Sequence, residues 1–207
     1  MNTLSSAERR IFFSLARKRQ KPGTGSSQEF LSQRTAHFRW PDLHALLAPV
    51  QWATIGAVAT RHYMPERVTH VLDIVVAAAD APAVRERLAE AGYQFRGALR
   101  IGCFSWLMPE GIPLDVLEGR EQWCPEAIRE AQTNRDAQGL PILPLPYLVL
   151  IKFQSGRVQD LADIARMLGQ ADEATLARTR ELFANKTVED REHLESLIAL
   201  GRREMMP

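Results

Sequence analysis

Two aliphatic stretches each carry one acid. RVTHVLDIVV, residues 67–76, holds Asp73, and IPLDVLEG, residues 112–119, holds Asp115. Both read as strands. Side chains alternate along a strand, so Thr69, Val71, Asp73 and Val75 share one face, and His70, Leu72, Ile74 and Val76 the other. A buried carboxylate without a partner is costly; each acid needs a hydrogen bond, a cation or water. If the two strands are neighbours, the acids face one another. Close carboxylates repel, so they share a proton or hold a metal ion. The alternative is that both lie at strand ends in water or accept backbone hydrogen bonds. A third group lies in KFQSGRVQDLADI, residues 152–164: Lys152, Arg157, Asp160 and Asp163. Lys152 either neutralises an anion as a point charge or is an ordinary exposed helix lysine. Asp160 and Asp163 fall in the first turn of a helix, where the dipole favours acids with or without a chemical role. Gly56-Ala57 marks a strand-to-helix turn, and a helix start attracts anions.

The elements that must position these groups follow from pattern and punctuation. Residues 4–19 read as an amphipathic helix with Leu4, Ile11, Phe12 and Leu15 on one face and Ser5 or Ser6 as cap. KPGTGSSQ after it has the composition of a linker. A short helix is expected over 40–48, a strand over VQWATI, a helix start at AVATRHY, and a strand over 68–76. DAPAVRERLAEAGY is a helix capped by Asp80 and stopped by Gly92. ALRIGCFSWLM and IPLDVLEG read as two strands joined at PEG. PILPLP is irregular. Helices follow over 146–155, 159–168, 172–184 and 187–200, the last capped by Thr187. This order predicts an α+β fold with a mixed sheet and helices packed on one side. It also predicts three regions: a basic helix and linker over 1–39, a core over 40–170, and C-terminal helices over 171–207.

Composition narrows the function classes. The chain has 207 residues, 45% of them apolar, and a net charge of +1. No global basic field is available for a long nucleic acid, so such contact needs a local patch. The candidate is the N-terminal segment, with Arg9, Arg10, Arg17, Lys18, Arg19 and Lys21. That segment either reaches an RNA or acidic partner or docks on the core or a second subunit. Cys103 and Cys124 are too far apart for a metal motif and read as free thiols. No signal peptide or membrane span is expected, which points to the cytoplasm. G-x-G-x-x-G, the Walker loop and G-x-S-x-G are all absent. His62 and Tyr63 read as packing or surface, and the four tryptophans as packing rather than a stacking platform.

TIGAVATRHYMPERVTHVLDIVV, LAEAGY, IPLDVLEG and LPYLVLIKFQSGRVQDLADIARML, in that order, resemble the nucleotidyltransferase superfamily, and within it the minimal, AbiEii toxin-like type. The resemblance covers about residues 50–168. It implies a polymerase-β-like palm, transfer of a nucleotidyl group from a nucleoside triphosphate (NTP), and Mg²⁺. The family's Gly-Gly or Gly-Ser turn is Gly56-Ala57 here, which lacks the hydroxyl. Its Arg-x-Thr-x-Asp-x-Asp motif is Arg67, Thr69, Val71 and Asp73, so valine replaces the first acid. The third acid matches Asp115. The later Lys and Asp match Lys152 and Asp160, with Arg157 and Asp163 also fitting. The resemblance thus implies Asp73 and Asp115 as metal ligands and catalytic acids, Gly56, Ala57, Arg67 and Thr69 at the nucleotide, and Lys152 and Asp160 in catalysis. Two ions ~3.5–4 Å apart activate the attacking oxygen and stabilise the leaving group in such chemistry. Mg²⁺ takes oxygen ligands, and Val71 offers none. Three readings follow: a transferase acting on a protein or RNA, a degenerate nucleotide-binding or interaction module, and a homo-oligomeric scaffold.

Overall fold

The computed structural model describes residues 4–19, 39–64, 69–99 and 102–205. Contacts divide the chain into two compact units. One contains the sheet, and its last residue is Pro144; the other contains the N-terminal helix and everything from Leu145 onward. The sheet unit thus ends at Pro144.

In the sheet unit, α2 (His44–Leu47) precedes β1 (Trp52–Ile55), α3 (Gly56–Thr60), β2 (Leu72–Ala77), α4 (Ala81–Glu90), β3 (Gln94–Leu99), β4 (Cys103–Leu107), β5 (Pro113–Gly119) and α5 (Cys124–Ala131). The strand order is β1-β2-β5-β4-β3. β2 and β5 are parallel; the other three pairings are antiparallel. A parallel pair needs a long crossover, and here α4, β3 and β4 supply it. The sheet is mixed and the class is α+β, as the sequence implies.

Burial follows the strand period. Leu72, Ile74 and Val76 of β2 and Leu114 and Val116 of β5 are buried on one face. On the other face, Asp73 and Asp115 are half-buried. β1 is buried throughout, because residues 141–143 cover its outer edge: Thr54 N–H donates to Pro141 O at 2.6 Å, and Leu143 N–H to Thr54 O at 3.1 Å. PILPLP, read as irregular, thus closes one side of the sheet. The other edge, β3, is irregular between Phe95 and Gly97, a feature that discourages further pairing.

Four local expectations change. The 98–108 stretch is two strands, because Gly102 takes a φ of +67° and turns the chain between β3 and β4. β2 begins at Leu72, so Val71 precedes the strand. α5 is a helix where none is expected, with Cys124, Ala127, Ile128 and Ala131 lining its buried side at helical spacing. Asp80 makes no side-chain cap bond.

The helical unit holds α1 (Ser6–Arg19), α6 (Leu145–Ser155), α7 (Val158–Gln170), α8 (Glu173–Leu182) and α9 (Val188–Met205). α6 is apolar nearly all round and buried on most sides, as a central helix must be. Ser5 and Glu8 form a reciprocal cap at α1: Ser5 N–H donates to the Glu8 carboxylate at 2.8 Å, and Glu8 N–H to Ser5 Oγ at 3.4 Å. α1 docks on α9 through Phe13, whose ring lies 5.1 Å from that of His193, and through Arg10 with Glu189 at 3.2 Å. The docking face is therefore not the one read from sequence: Ile11 and Leu15 are 62% and 49% exposed, while Phe13 is buried. Adjacent phenylalanines offered two apolar faces, and only the neighbour α9 selects between them. Thr187 does cap α9, accepting from Asp190 N–H at 3.1 Å. No helix among the described residues is long and apolar enough to cross a membrane.

α7 and α9 touch backbone to backbone at Gly169 and Gly201. A Cβ on Gly201 would overlap the Ala165 carbonyl oxygen and lie 2.9 Å from Gly169 Cα. Helix propensity alone favours alanine over glycine by about 1 kcal/mol. Here overpacking against main chain outweighs that gain, at about 1–3 kcal/mol. Gly201→Ala is expected to lower the melting temperature by several degrees, measured by calorimetry on the full chain.

Candidate functional site

The register brings the two acids together. Asp73 pairs with Asp115 across the parallel β2–β5 ladder, and Ile55 pairs with Asp73 from β1. Paired residues on neighbouring strands point to the same face, with strands about 4.8 Å apart. The two carboxylates therefore stand side by side on one face. Gly56 follows Ile55 and turns the chain with a φ of +64°. A Cβ there would overlap the Asp73 carboxylate and lie 2.8 Å from its Cβ. Only glycine fits on both counts: the left-handed backbone and the space taken by the acid. The turn main chain is thus pressed against Asp73.

Electrostatics report the same geometry. Burial, then Asp115, then Asp73 push the Cys103 thiol up to about 12. Cys103 is on this face, opposite Leu117 and one row in from the acids. A thiol held that high stays protonated at neutral pH and is a poor nucleophile. Cys124 is likewise raised, to about 11, by burial and Glu121. Both cysteines are free and buried, as composition suggested.

The other candidates divide as follows. Ala57 is buried in the first turn of α3, a helix of five residues. Thr69 is spent locally: its hydroxyl donates to Val71 O at 3.3 Å and accepts from Val71 N–H at 3.4 Å. Arg67 lies outside the described residues. Lys152 and Asp160 belong to the helical unit and meet each other. Lys152 is neither an exposed lysine nor an open charge. It is 4% exposed and donates to Asp160 at 3.0 Å and Asp163 at 2.8 Å. Asp160 also accepts from Arg157 and from Ser155, whose hydroxyl spans the turn between α6 and α7. Burial pushes the Asp160 carboxyl up, but Lys152, Arg157 and Ser155 outweigh it and hold it below the usual range. Two acids, a lysine and an arginine balance in charge, so the cluster locks α6 to α7.

Part of the N-terminal basic charge is engaged too. Arg9 is 4.0 Å from Asp190, Arg10 pairs with Glu189, and Arg17 donates to Ser196 at 3.1 Å. Lys18 and Arg19 remain exposed.

The acid pair suits some ions better than others. Among the described residues no group of three or more His, Cys, Asp or Glu side chains is arranged to hold a metal. A dedicated cage is therefore not formed. Mg²⁺ does not need one: it keeps waters and is held by one or two carboxylates together with substrate phosphates. Asp73 and Asp115 fit that donor set.

No protein-family model matches this sequence, and no characterised protein sequence matches it significantly. Solved structures of similar fold include the lincosamide antibiotic adenylyltransferase LnuA with lincomycin bound, at 14% identity over 56% of this chain and 57% of that one, TM-score 0.30. The antibiotic-resistance factor ANT(2'')-Ia, studied in solution, is 12% identical over 93% of this chain and 92% of its own, TM-score 0.42. A cytoplasmic RNA terminal U-transferase is 13% identical over 86% and 51%, TM-score 0.29. The chain thus spans only about half to three fifths of the first and third of these. The first is an adenylyltransferase and the third a U-transferase. At these identities and scores the likeness is distant, and the chemistry rests on the residues of the site itself.

The buried lysine gives a test with a defined sign. Asp160, with its folded value depressed, adds stability above the unfolded carboxylate value of about 3.9. That contribution is lost as pH falls through the lower folded value. Lys152→Met removes the buried cation that both acids share and is expected to cost about 3–5 kcal/mol at pH 7. The gap to the parent protein narrows toward about pH 4 as Asp160 takes up a proton, read by denaturant melts across pH.

Proposed function

We propose that this chain is a nucleotidyltransferase, moving a nucleotidyl group from an NTP to a protein or RNA acceptor, with Asp73 and Asp115 as its catalytic acids. The observation that carries this reading is the contact of three groups far apart in sequence: the Gly56 turn against Asp73, and Asp73 beside Asp115. A bare glycine turn next to paired carboxylates combines main-chain donors with anionic oxygens. Triphosphate oxygens need the first, and a divalent cation needs the second.

In this reading the main chain at Gly56 and Ala57 binds the phosphate end of the nucleotide. Asp73 and Asp115 hold Mg²⁺, which when bound neutralises charge developing on the phosphates. Asp115 also accepts the proton of the attacking hydroxyl. Most of the rate gain in phosphoryl chemistry comes from positioning and charge stabilisation, and a rigid three-strand register serves positioning well. Lys152 and Asp160 act here by holding α6 and α7 together rather than by touching the nucleotide. A basic N-terminal acceptor surface remains available through Lys18 and Arg19.

A second reading has its own support. Val71 leaves the site one carboxylate short, and no three-ligand cluster replaces it among the described residues. A degenerate module that binds a nucleotide without turning it over fits that deficit. Thermal-shift measurements with each of the four NTPs, with and without Mg²⁺ or Mn²⁺, separate the cases. Transferase chemistry predicts a metal-dependent stabilisation that Asp115→Asn removes, with pyrophosphate released by the parent protein. Stabilisation without pyrophosphate supports the degenerate module, and a flat response to every NTP excludes both. Val71→Asp is expected to tighten metal-dependent NTP binding by about tenfold, the worth of one charge-assisted contact, measured by calorimetry.

A further inference from the structure

The acid row continues beyond Asp115. Ser105 of β4 is its antiparallel partner, and Gly97 of β3 is the partner of Ser105. One sheet face therefore presents, in order, Ile55, Asp73, Asp115, Ser105 and Gly97. Directly opposed antiparallel residues have Cβ atoms about 4.5–5.5 Å apart, so the Ser105 hydroxyl stands within one bound molecule's reach of the Asp115 carboxylate. Ser105 is the one hydroxyl in a strand otherwise built of Cys103, Phe104, Trp106 and Leu107. Ser105 is half-buried, and its hydroxyl makes no hydrogen bond among the described residues. Half-buried hydroxyls elsewhere are used by the fold, as at Thr69 on Val71 O, Ser155 on Lys152 O and Ser196 on Glu192 O. The far end of the row is open: a Cβ on Gly97 would meet nothing within 4 Å.

The two ends of the row differ in kind. At one end the Gly56 turn closes against Asp73; at the other, Ser105 and Gly97 leave space. In-line transfer requires the attacking oxygen and the leaving pyrophosphate on opposite sides of the α-phosphorus. With the phosphates at the Gly56 end, the attacker comes from the Ser105 end.

We infer that Ser105 binds the acceptor, hydrogen-bonding a hydroxyl-bearing molecule that enters over Gly97 and orienting it toward Asp115. This rests on the nucleotidyltransferase reading. The acceptor oxygen forms a bond to the α-phosphorus, the bond from that phosphorus to the oxygen bridging it to the β-phosphate breaks, and pyrophosphate leaves with that electron pair. The acceptor proton passes to the Asp115 carboxylate. A serine hydroxyl both donates and accepts, which suits an alcohol acceptor better than an anionic one.

Glycerol serves as a simple alcohol probe. The full chain is incubated with Mg²⁺ and the NTP that stabilises it most, and pyrophosphate release is followed against glycerol concentration. Ser105→Ala is expected to raise the KM for glycerol about tenfold, the worth of one lost hydrogen bond. NTP affinity without glycerol stays unchanged, and Ser105→Thr restores the parent KM. A structural role for Ser105 would instead lower the melting temperature or shift both substrates alike, and either result overturns the assignment. Parent turnover with an unaltered glycerol KM in Ser105→Ala overturns it while leaving the transferase reading intact. Parent protein that releases no pyrophosphate with any NTP overturns both.

Discussion

The parallel ladder between β2 and β5 sets Asp73 and Asp115 shoulder to shoulder on a half-buried face. Bringing two like charges to strand spacing is unfavourable unless a proton or a cation stands between them. The opposite face of the same strands provides the compensation in folding terms. Leu72, Ile74, Val76, Leu114 and Val116 are all buried there, and each such side chain contributes on the order of 1.5–3 kcal/mol. A slip of one residue would turn that apolar set outward and the acids inward. The hydrophobic face therefore fixes the register, and the register imposes the charge pair. Gly56 depends on it in part, since a side chain there would overlap Asp73.

Burial treats the charged groups of the two units in opposite ways. In the sheet unit the acids are half-buried. In the helical unit Lys152, Asp160 and Asp163 are closed off, and the charges are neutralised within the protein. A closed, hydrogen-bonded ion cluster is costly to break and offers little to a substrate. The same sequence signal, charged residues within apolar segments, thus has two outcomes. What separates them is whether opposite charges on the next turn or helix come within reach.

Packing in the helical unit shows how a small residue can matter as much as a large one. Gly169 and Gly201 let α7 and α9 approach main chain to main chain. α1 adds its Phe13 against His193 on the same α9. His193 is buried with neither ring nitrogen hydrogen-bonded among the described residues, and burial is the leading cause holding its pKa below the usual value, so a neutral ring packs there.

By itself the sequence determined the class of the fold, most element positions, and the suspicion that Asp73 and Asp115 belong together. Those features rest on local physics: side-chain alternation, helical periodicity, glycine turns and the cost of a lone buried acid. It also showed the valine at position 71 where the resembled motif has an acid. It could not show that Ser105 joins the acid row, because the partner of a strand residue is set by register between strands, not by anything within CFSWL. Nor could it show that Lys152 is sealed by Asp160 and Asp163 rather than free, since eight and eleven residues of separation become contact only when α7 folds back on α6. The face by which α1 docks was open for the same reason: Phe12 and Phe13 point different ways, and the choice belongs to α9. Local pattern fixes which residues lie on a face; only the neighbouring element decides what that face meets.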